Sequence, residues 1–259
     1  MELKLDFKIG ILIPCYNVER TIYLVLDNIS DHTFQEIDLV LIVDNCSTDS
    51  TVKKAKKFIN DHPEKASKIK IILNETNLGL GGTQKKSYDY FLKNDFTHSM
   101  IIHSDLQGTP EKLIKNFLLC FKKKPNIDII YASRFHKESN LTGYSKLRIF
   151  INKIFNLLTF ILTNVNISDS GCGIIFYNNK VLKKVHYNQL TNGAQFNPQF
   201  NILIGRLKEF NIHEIPIDWR DSEVGSSINS IQYCFRLLKM LFKFRLSTFL
   251  GKQSFSKVF

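Results

Sequence analysis

The sequence predicts an α/β protein built on a mostly parallel sheet covered by helices on both faces. Three observations predict it. Short β-rich apolar runs alternate with segments of helical spacing through the first half of the chain. Each run is followed by a polar turn. The length of 259 residues, 44% hydrophobic and 23% charged, supports a large core and excludes a disordered or fibrous chain.

Lys8 to Pro14 (KIGILIP) reads as the first strand, ended by proline. Glu19 to Ile29 places apolar residues at Ile22, Val25, Leu26 and Ile29, a helical spacing. Ile37 to Val43 is a second, buried strand, and Asp49 to Ile59 a helix with a Ser/Thr/Asp-rich start. Ile69 to Leu73 is a third strand, followed by a Gly-rich turn and a helix from Gly81 to Leu92. Ser99 to Ile102 is a fourth strand, with a helix from Pro110 to Phe121, and Ile127 to Ala132 is a fifth. The second half changes character. Residues 139–168 and 224–259 contain no Asp or Glu, and each holds an apolar helical run interspersed with Lys and Arg. Basic amphipathic helices of this kind lie in a membrane interface; the plainer reading is a core-packed helix with a solvated basic side. The expected organisation is one domain over 1–229 and a basic amphipathic segment over 230–259.

The net charge of +11 implies an anionic partner: nucleic acid, lipid or a phosphorylated substrate. Nucleic acid is disfavoured, because the aromatic residues fall mostly in helical apolar stripes rather than beside basic residues in strands. Five scattered cysteines without a CxxC pair argue against a disulfide framework or zinc site. With no signal-like N-terminus and no long apolar run, the expected location is cytoplasmic, peripheral on the inner face of the cell membrane.

In parallel sheets, ligands bind at the carboxyl ends of the strands. The motifs PCYNVE, DNCSTDST, NLGLGG, HSDLQ and SRF all fall there, which points to one shared site. Asp44, Asn45, Ser47 and Asp49 form a polar cluster after the second strand. Asp44 suits a hydrogen bond from a nucleobase or ribose, and Asp49 suits a helix cap. After the fourth strand, an extended turn would project His103, Asp105 and Gln107 to one side. Imidazole, carboxylate and amide oxygen suit Mn²⁺ or Mg²⁺ carrying a diphosphate; a capped turn before Pro110 is the alternative. NLGLGGTQK lacks both GxxxxGK[ST] and GxGxxG, which excludes a P-loop and a dinucleotide fingerprint. Gly79 and Gly81 are expected to allow close backbone approach beside the shared site, and Lys85 to neutralise phosphate or sit on the surface.

The ordered set PCYNVE, VDNCSTDST, NLGLGGTQK, HSDLQGTPE, ASRF, SDSGCGIIFY and DWRDSEVGSS resembles the family 2 inverting glycosyltransferases of GT-A fold. The resemblance is greatest to the dolichyl- and polyprenyl-phosphate mannose and glucose synthases. It implies a nucleotide-sugar donor, UDP- or GDP-linked, bound by Pro14, Tyr16, Asn17, Glu19, Asp44, Asn45 and Ser47. It assigns His103, Asp105 and Gln107 to a divalent cation and the donor diphosphate. Two departures stand out: His103 and Asn45 each occupy a position where the family often has Asp. The resemblance further implies that Arg134 and Arg148 hold a lipid phosphate. Asp169 would lie by sugar and acceptor, and Arg220 and Ser226 would close over the diphosphate. A glycan or lipid-linked saccharide acceptor would instead make Asp169 the base. A non-catalytic nucleotide-binding scaffold is the reading from another class.

Overall fold

The computed structural model describes residues 7–221 and 230–249. Its centre is a seven-stranded sheet. The first five strands are β1 (Ile9–Cys15), β2 (Leu39–Asp44), β3 (Ile69–Leu73), β4 (His98–Ile101) and β5 (Ile129–Ser133). A short β6 (Asn140–Thr142) precedes β7 (Ile175–Asn178), β8 (Ile212–Pro216) and β9 (Asp218–Arg220). The sheet order is β3-β2-β1-β4-β7-β5-β8, while β6 and β9 form a separate parallel pair. The pairs β1–β2, β1–β4, β2–β3 and β5–β8 are parallel. β7 runs antiparallel to both β4 and β5.

The helices are α1 (Ile22–Asp27), α2 (Asp31–Glu36), α3 (Thr51–Asp61), α4 (Pro63–Ala66) and α5 (Gly79–Lys93). They continue with α6 (Pro110–Lys123), α7 (Lys146–Thr163), α8 (Lys180–Lys184), α9 (Phe196–Leu207) and α10 (Ser230–Phe249). Strand side chains alternate between two cores, as a period of two requires. Ile11, Ile13, Val40, Ile42 and Met100 pack under α1, α2, α3 and α6. Leu12, Leu41, Val43 and Ile101 pack against α5, α9 and the buried side of α10.

The expected architecture holds, with one difference near its start. The predicted helix over 19–29 is shorter and is followed by α2, whose start is set by Ser30 accepting from the Thr33 amide at 3.2 Å. In the last helix Leu237, Met240, Leu241 and Phe244 are buried in the second core. Among the described residues no helix is long and apolar enough to cross a bilayer.

Glu111, in the first turn of α6, ties that helix to α2. Its carboxylate accepts from the Ser30 amide (3.0 Å), Ser30 Oγ (2.8 Å) and Thr33 Oγ1 (3.0 Å), and pairs with Lys115 (2.7 Å). Burial would raise its pKa, but these bonds outweigh burial and bring it down to about 2. A folded pKa below the unfolded one gives stability that is present above the unfolded value of ~4.3. It is lost as pH falls from there through about 2. In urea titrations, Glu111→Gln is expected to be destabilised at neutral pH by on the order of 1–3 kcal/mol, with the gap from wild type closing as pH falls from about 4 through about 2.

Candidate active site

Three neighbouring strands, β1, β2 and β4, end at one rim, and each turn beyond them holds a left-handed residue. These are Asn17 (φ 52°), Cys46 (φ 66°) and Leu106 (φ 57°). Side chains with a Cβ take that conformation at a cost, and such outliers gather at functional sites. The first two turns are stitched together. Ser47 Oγ accepts from the Asn17 amide (2.9 Å), and Asn17 Oδ1 accepts from the Thr48 amide (2.9 Å). Pro14 O accepts from Ser104 Oγ at 2.7 Å, which binds the third turn to the first.

Within this rim, Tyr16 stands 44% exposed, an aromatic face open to solvent. Asp44 is buried; its Oδ2 accepts from the Ser47 amide at 3.0 Å, while Oδ1 has no hydrogen-bond partner. A buried acceptor without a donor is costly, and it marks Asp44 as poised for a ligand hydroxyl or N–H. Asn45 is different from expectation. Its Oδ1 accepts from the Leu78 amide (2.8 Å) and Asn74 Nδ2 (3.1 Å), and its Nδ2 donates to Asn77 (2.8 Å). Asn45 therefore organises the turn before α5 rather than facing a ligand. Glu19 likewise caps α3, accepting from the Ser50 amide at 2.9 Å, while Asp49 accepts from the Thr51 amide at 2.9 Å.

The Gly-rich turn also departs from expectation. A Cβ on Gly79 would lie 2.4 Å from Asn192 O, and one on Gly81 would lie 2.5 Å from Thr191 O. The close approach is thus to the loop before α9, not to a donor. Gly81 N and Gly82 N both donate to Asn192 O (2.8 and 3.2 Å). Lys85 donates to Asn192 Oδ1 and to the carbonyls of Asn188 and Leu190, so it straps that loop down.

After β4 the chain does not stay extended. Leu106 turns it, so simple alternation does not set the directions of His103, Asp105 and Gln107. Asp105 Oδ1 accepts from the Gln107 amide at 3.2 Å. Gln107 Nε2 donates to Arg220 O at 3.2 Å, which leaves the amide oxygen as a ligand atom. Burial lowers the pKa of His103, the Asp105 charge opposes this, and Arg134 adds to the lowering. His103 Nε2 is buried without a partner, and a Cβ on Gly173 would lie 3.0 Å from it and 2.3 Å from Asn197 Nδ2. Among the described residues no three His, Cys, Asp or Glu side chains form a metal cluster. Asp105, Gln107 and His103 supply one carboxylate, one amide oxygen and one imidazole, donor types whose chemistry suits a divalent cation sharing its shell with substrate oxygens.

Across the rim lies a buried ion pair. Arg134 grips Asp169 bidentately, Nε to Oδ2 at 2.7 Å and Nη2 to Oδ1 at 2.8 Å, and the Arg134 amide adds a third bond at 3.0 Å. Asp169 is 1% exposed. Burial would lower the Arg134 pKa, but the Asp169 charge and hydrogen bonds more than reverse it. The rings of Phe135, Tyr144 and Trp219 surround the guanidinium at 5.5, 5.9 and 5.6 Å. Arg148 pairs with Asp221 at the surface, and Arg220 Nε donates to Leu106 O at 2.9 Å, so β9 is pinned to the turn that carries Asp105. Ser226 lies outside the described residues.

The model of the family described as Glycosyl transferase family 2 matches residues 10–186. The chain belongs to that family. This glycosyltransferase is 25% identical over 224 residues to the UDP-N-acetylglucosamine–dolichyl-phosphate N-acetylglucosaminyltransferase of Methanococcus voltae, covering 82% of this chain and 85% of that one. It is 24% identical over 257 residues to the dolichyl-phosphate beta-glucosyltransferase of Saccharomyces cerevisiae, covering 94% and 75%. Its fold matches glucosyl-3-phosphoglycerate synthase from Mycobacterium tuberculosis, solved with Mn²⁺, uridine diphosphate and phosphoglyceric acid. That match has a TM-score of 0.65 at 16% identity and covers 94% of this chain and 78% of that one.

Several residues that shape the glycosyltransferase site are not among the sequence candidates, although Ser133 and Ser168 lie inside ASRF and SDSGCGIIFY. Ser168 N and Oγ donate to Glu214 (2.9 and 2.5 Å), and Ser168 Oγ meets Ser133 Oγ at 2.5 Å. These three fix the turns that present Arg134 and Asp169. Tyr144 accepts from Arg134 Nη1 at 3.2 Å. Asn156 of α7 binds both residues that flank Asp169: Nδ2 donates to Ser168 O (2.5 Å), and Oδ1 accepts from Ser170 N (3.1 Å) and Ser170 Oγ (2.7 Å). The signal available in the sequence was Asn152 and Asn156 four apart in a largely apolar run with scattered basic residues.

Proposed function

We propose that this glycosyltransferase moves a sugar from a nucleotide-sugar to a polyprenyl phosphate at a membrane surface, with inversion at C1. One observation carries the choice of acceptor. Both carboxylate oxygens of Asp169 are engaged by Arg134, so the residue that would deprotonate a hydroxyl acceptor is already committed. A phosphate acceptor is anionic and needs no base. The two relatives, whose names specify dolichyl phosphate, support the same reading.

In this reading Tyr16 stacks on the base, and Asp44 Oδ1 accepts from the base or ribose. Uridine is the base to test first, since the Methanococcus relative is named for a UDP-linked donor and the mycobacterial structure contains uridine diphosphate. Asp105, the Gln107 amide oxygen and His103 would hold Mn²⁺ or Mg²⁺, whose chemistry is to offset the charge of the departing diphosphate. Arg134 has five N–H groups and spends three on Asp169 and Tyr144, so two remain for an acceptor phosphate oxygen. Arg148 and Arg220 supply further cationic character on the same side. The exposed apolar residues of α7 and α10, set among basic ones, support seating on lipid.

The direct test combines protein, Mn²⁺, labelled UDP- and GDP-sugars and a short polyprenyl phosphate. Labelled lipid is the expected product; transfer only to a saccharide hydroxyl would overturn the acceptor assignment. Tyr16→Ala is expected to weaken UDP binding by about 1–3 kcal/mol, with Tyr16→Phe near wild type, read by calorimetry.

A further inference from the structure

Helix α7 has two working sides. One side carries Asn152 and Asn156 toward the site: Asn152 Nδ2 donates to Tyr144 at 3.4 Å, and Asn156 clasps the residues on either side of Asp169. The other side presents Leu147, Phe150, Ile154, Leu157 and Ile161, each between 41% and 66% exposed, at helical spacing. Beside it, α10 exposes Phe235, Phe242 and Leu246 in a second stripe. Neither helix contains an acidic residue, and Lys153, Arg236, Lys239 and Arg245 are exposed among the apolar ones. An apolar surface with basic and no acidic side chains matches an anionic lipid bilayer.

We propose that Asn156 is a positioning residue that couples this lipid-facing side to the site, so that seating α7 on an anionic bilayer sets the placement of the Arg134–Asp169 pair. The inference rests on the membrane-surface reading above. The physical path is continuous: α7, the Asn156 amide, the Ser168 and Ser170 flanks, Asp169, then Arg134. It ends on Trp219, whose ring lies 5.6 Å from the Arg134 guanidinium carbon and 6.1 Å from the His103 ring. Trp219 is the one tryptophan in the chain, so its fluorescence reports on the site without any need for turnover.

The test uses full-length protein and phosphatidylcholine vesicles with and without phosphatidylglycerol. Flotation measures binding, Trp219 emission measures coupling, and transfer to a short polyprenyl phosphate gives kcat and donor KM. Wild type is expected to float with the anionic vesicles, to shift its Trp219 emission and to gain kcat several-fold. Asn156→Ala is expected to float equally, yet show no emission shift and no gain in kcat, with donor KM unchanged. Leu157→Asp is expected to lose both flotation and shift. Wild type that floats with unchanged Trp219 emission overturns the coupling, whether or not the variants fold. So does Asn156→Ala that keeps the shift and the kcat gain. Wild type that fails to float overturns the membrane-surface reading itself and the coupling with it.

Discussion

Arg134→Ala is expected to cost about 3–5 kcal/mol of folding stability and to abolish detectable transfer. The substitution leaves Asp169, 1% exposed, without its charged partner, with Oδ1 unmet and Oδ2 held only by the backbone amide of residue 134. An unpaired buried carboxylate is among the costliest defects a core can hold, and it also places a negative charge where an acceptor phosphate would approach. Arg134→Lys separates the two effects. It keeps the charge but not the planar fork, so it is expected to recover part of the stability and little of the activity. Urea unfolding and the polyprenyl phosphate assay read the two quantities. A variant as stable as wild type would show that the pair does not hold these turns together.

The second large effect is expected at Asp105. Asp105→Asn keeps an oxygen to accept from the Gln107 amide, so the turn survives, but the charge is gone. Transfer is expected to fall by about 10²-fold or more, since a catalytic cation contributes several kcal/mol at the transition state. Calorimetry with UDP gives the independent readout: wild type should bind more tightly with Mn²⁺ than without, and Asp105→Asn should show no such difference. Equal Mn²⁺ dependence in both would remove Asp105 from the cation site.

Much of the sheet could be read from local pattern. The run Ile69 to Leu73 matches β3 residue for residue, because a short apolar run between polar turns has few alternatives. β7 could not be placed this way. IIFY is apolar on both faces wherever it goes, and only its partners β4 and β5 reveal that it runs antiparallel. The motif turns were legible as a rim, but not the duty of each residue within it. Asn45 carries the right chemistry for a ligand but is engaged by the Leu78 amide, Asn74 and Asn77, and Glu19 gives one oxygen to the Ser50 amide. The link between Ser133, Ser168 and Glu214 was not legible, because 35 and 46 residues separate the partners and no local spacing joins them. Leu106 was hidden for another reason: a leucine gives no hint of a left-handed conformation.

The Gly81 and Gly82 amides at the start of α5 are both spent on Asn192 O. A free helix start of that kind would otherwise greet an incoming pyrophosphate with its dipole. Here those two amides are already taken, so in the proposed reading side chains and a cation would meet the donor's negative charge. A chelator should then lower donor affinity, with Tyr16 and Asp44 retaining a share of it.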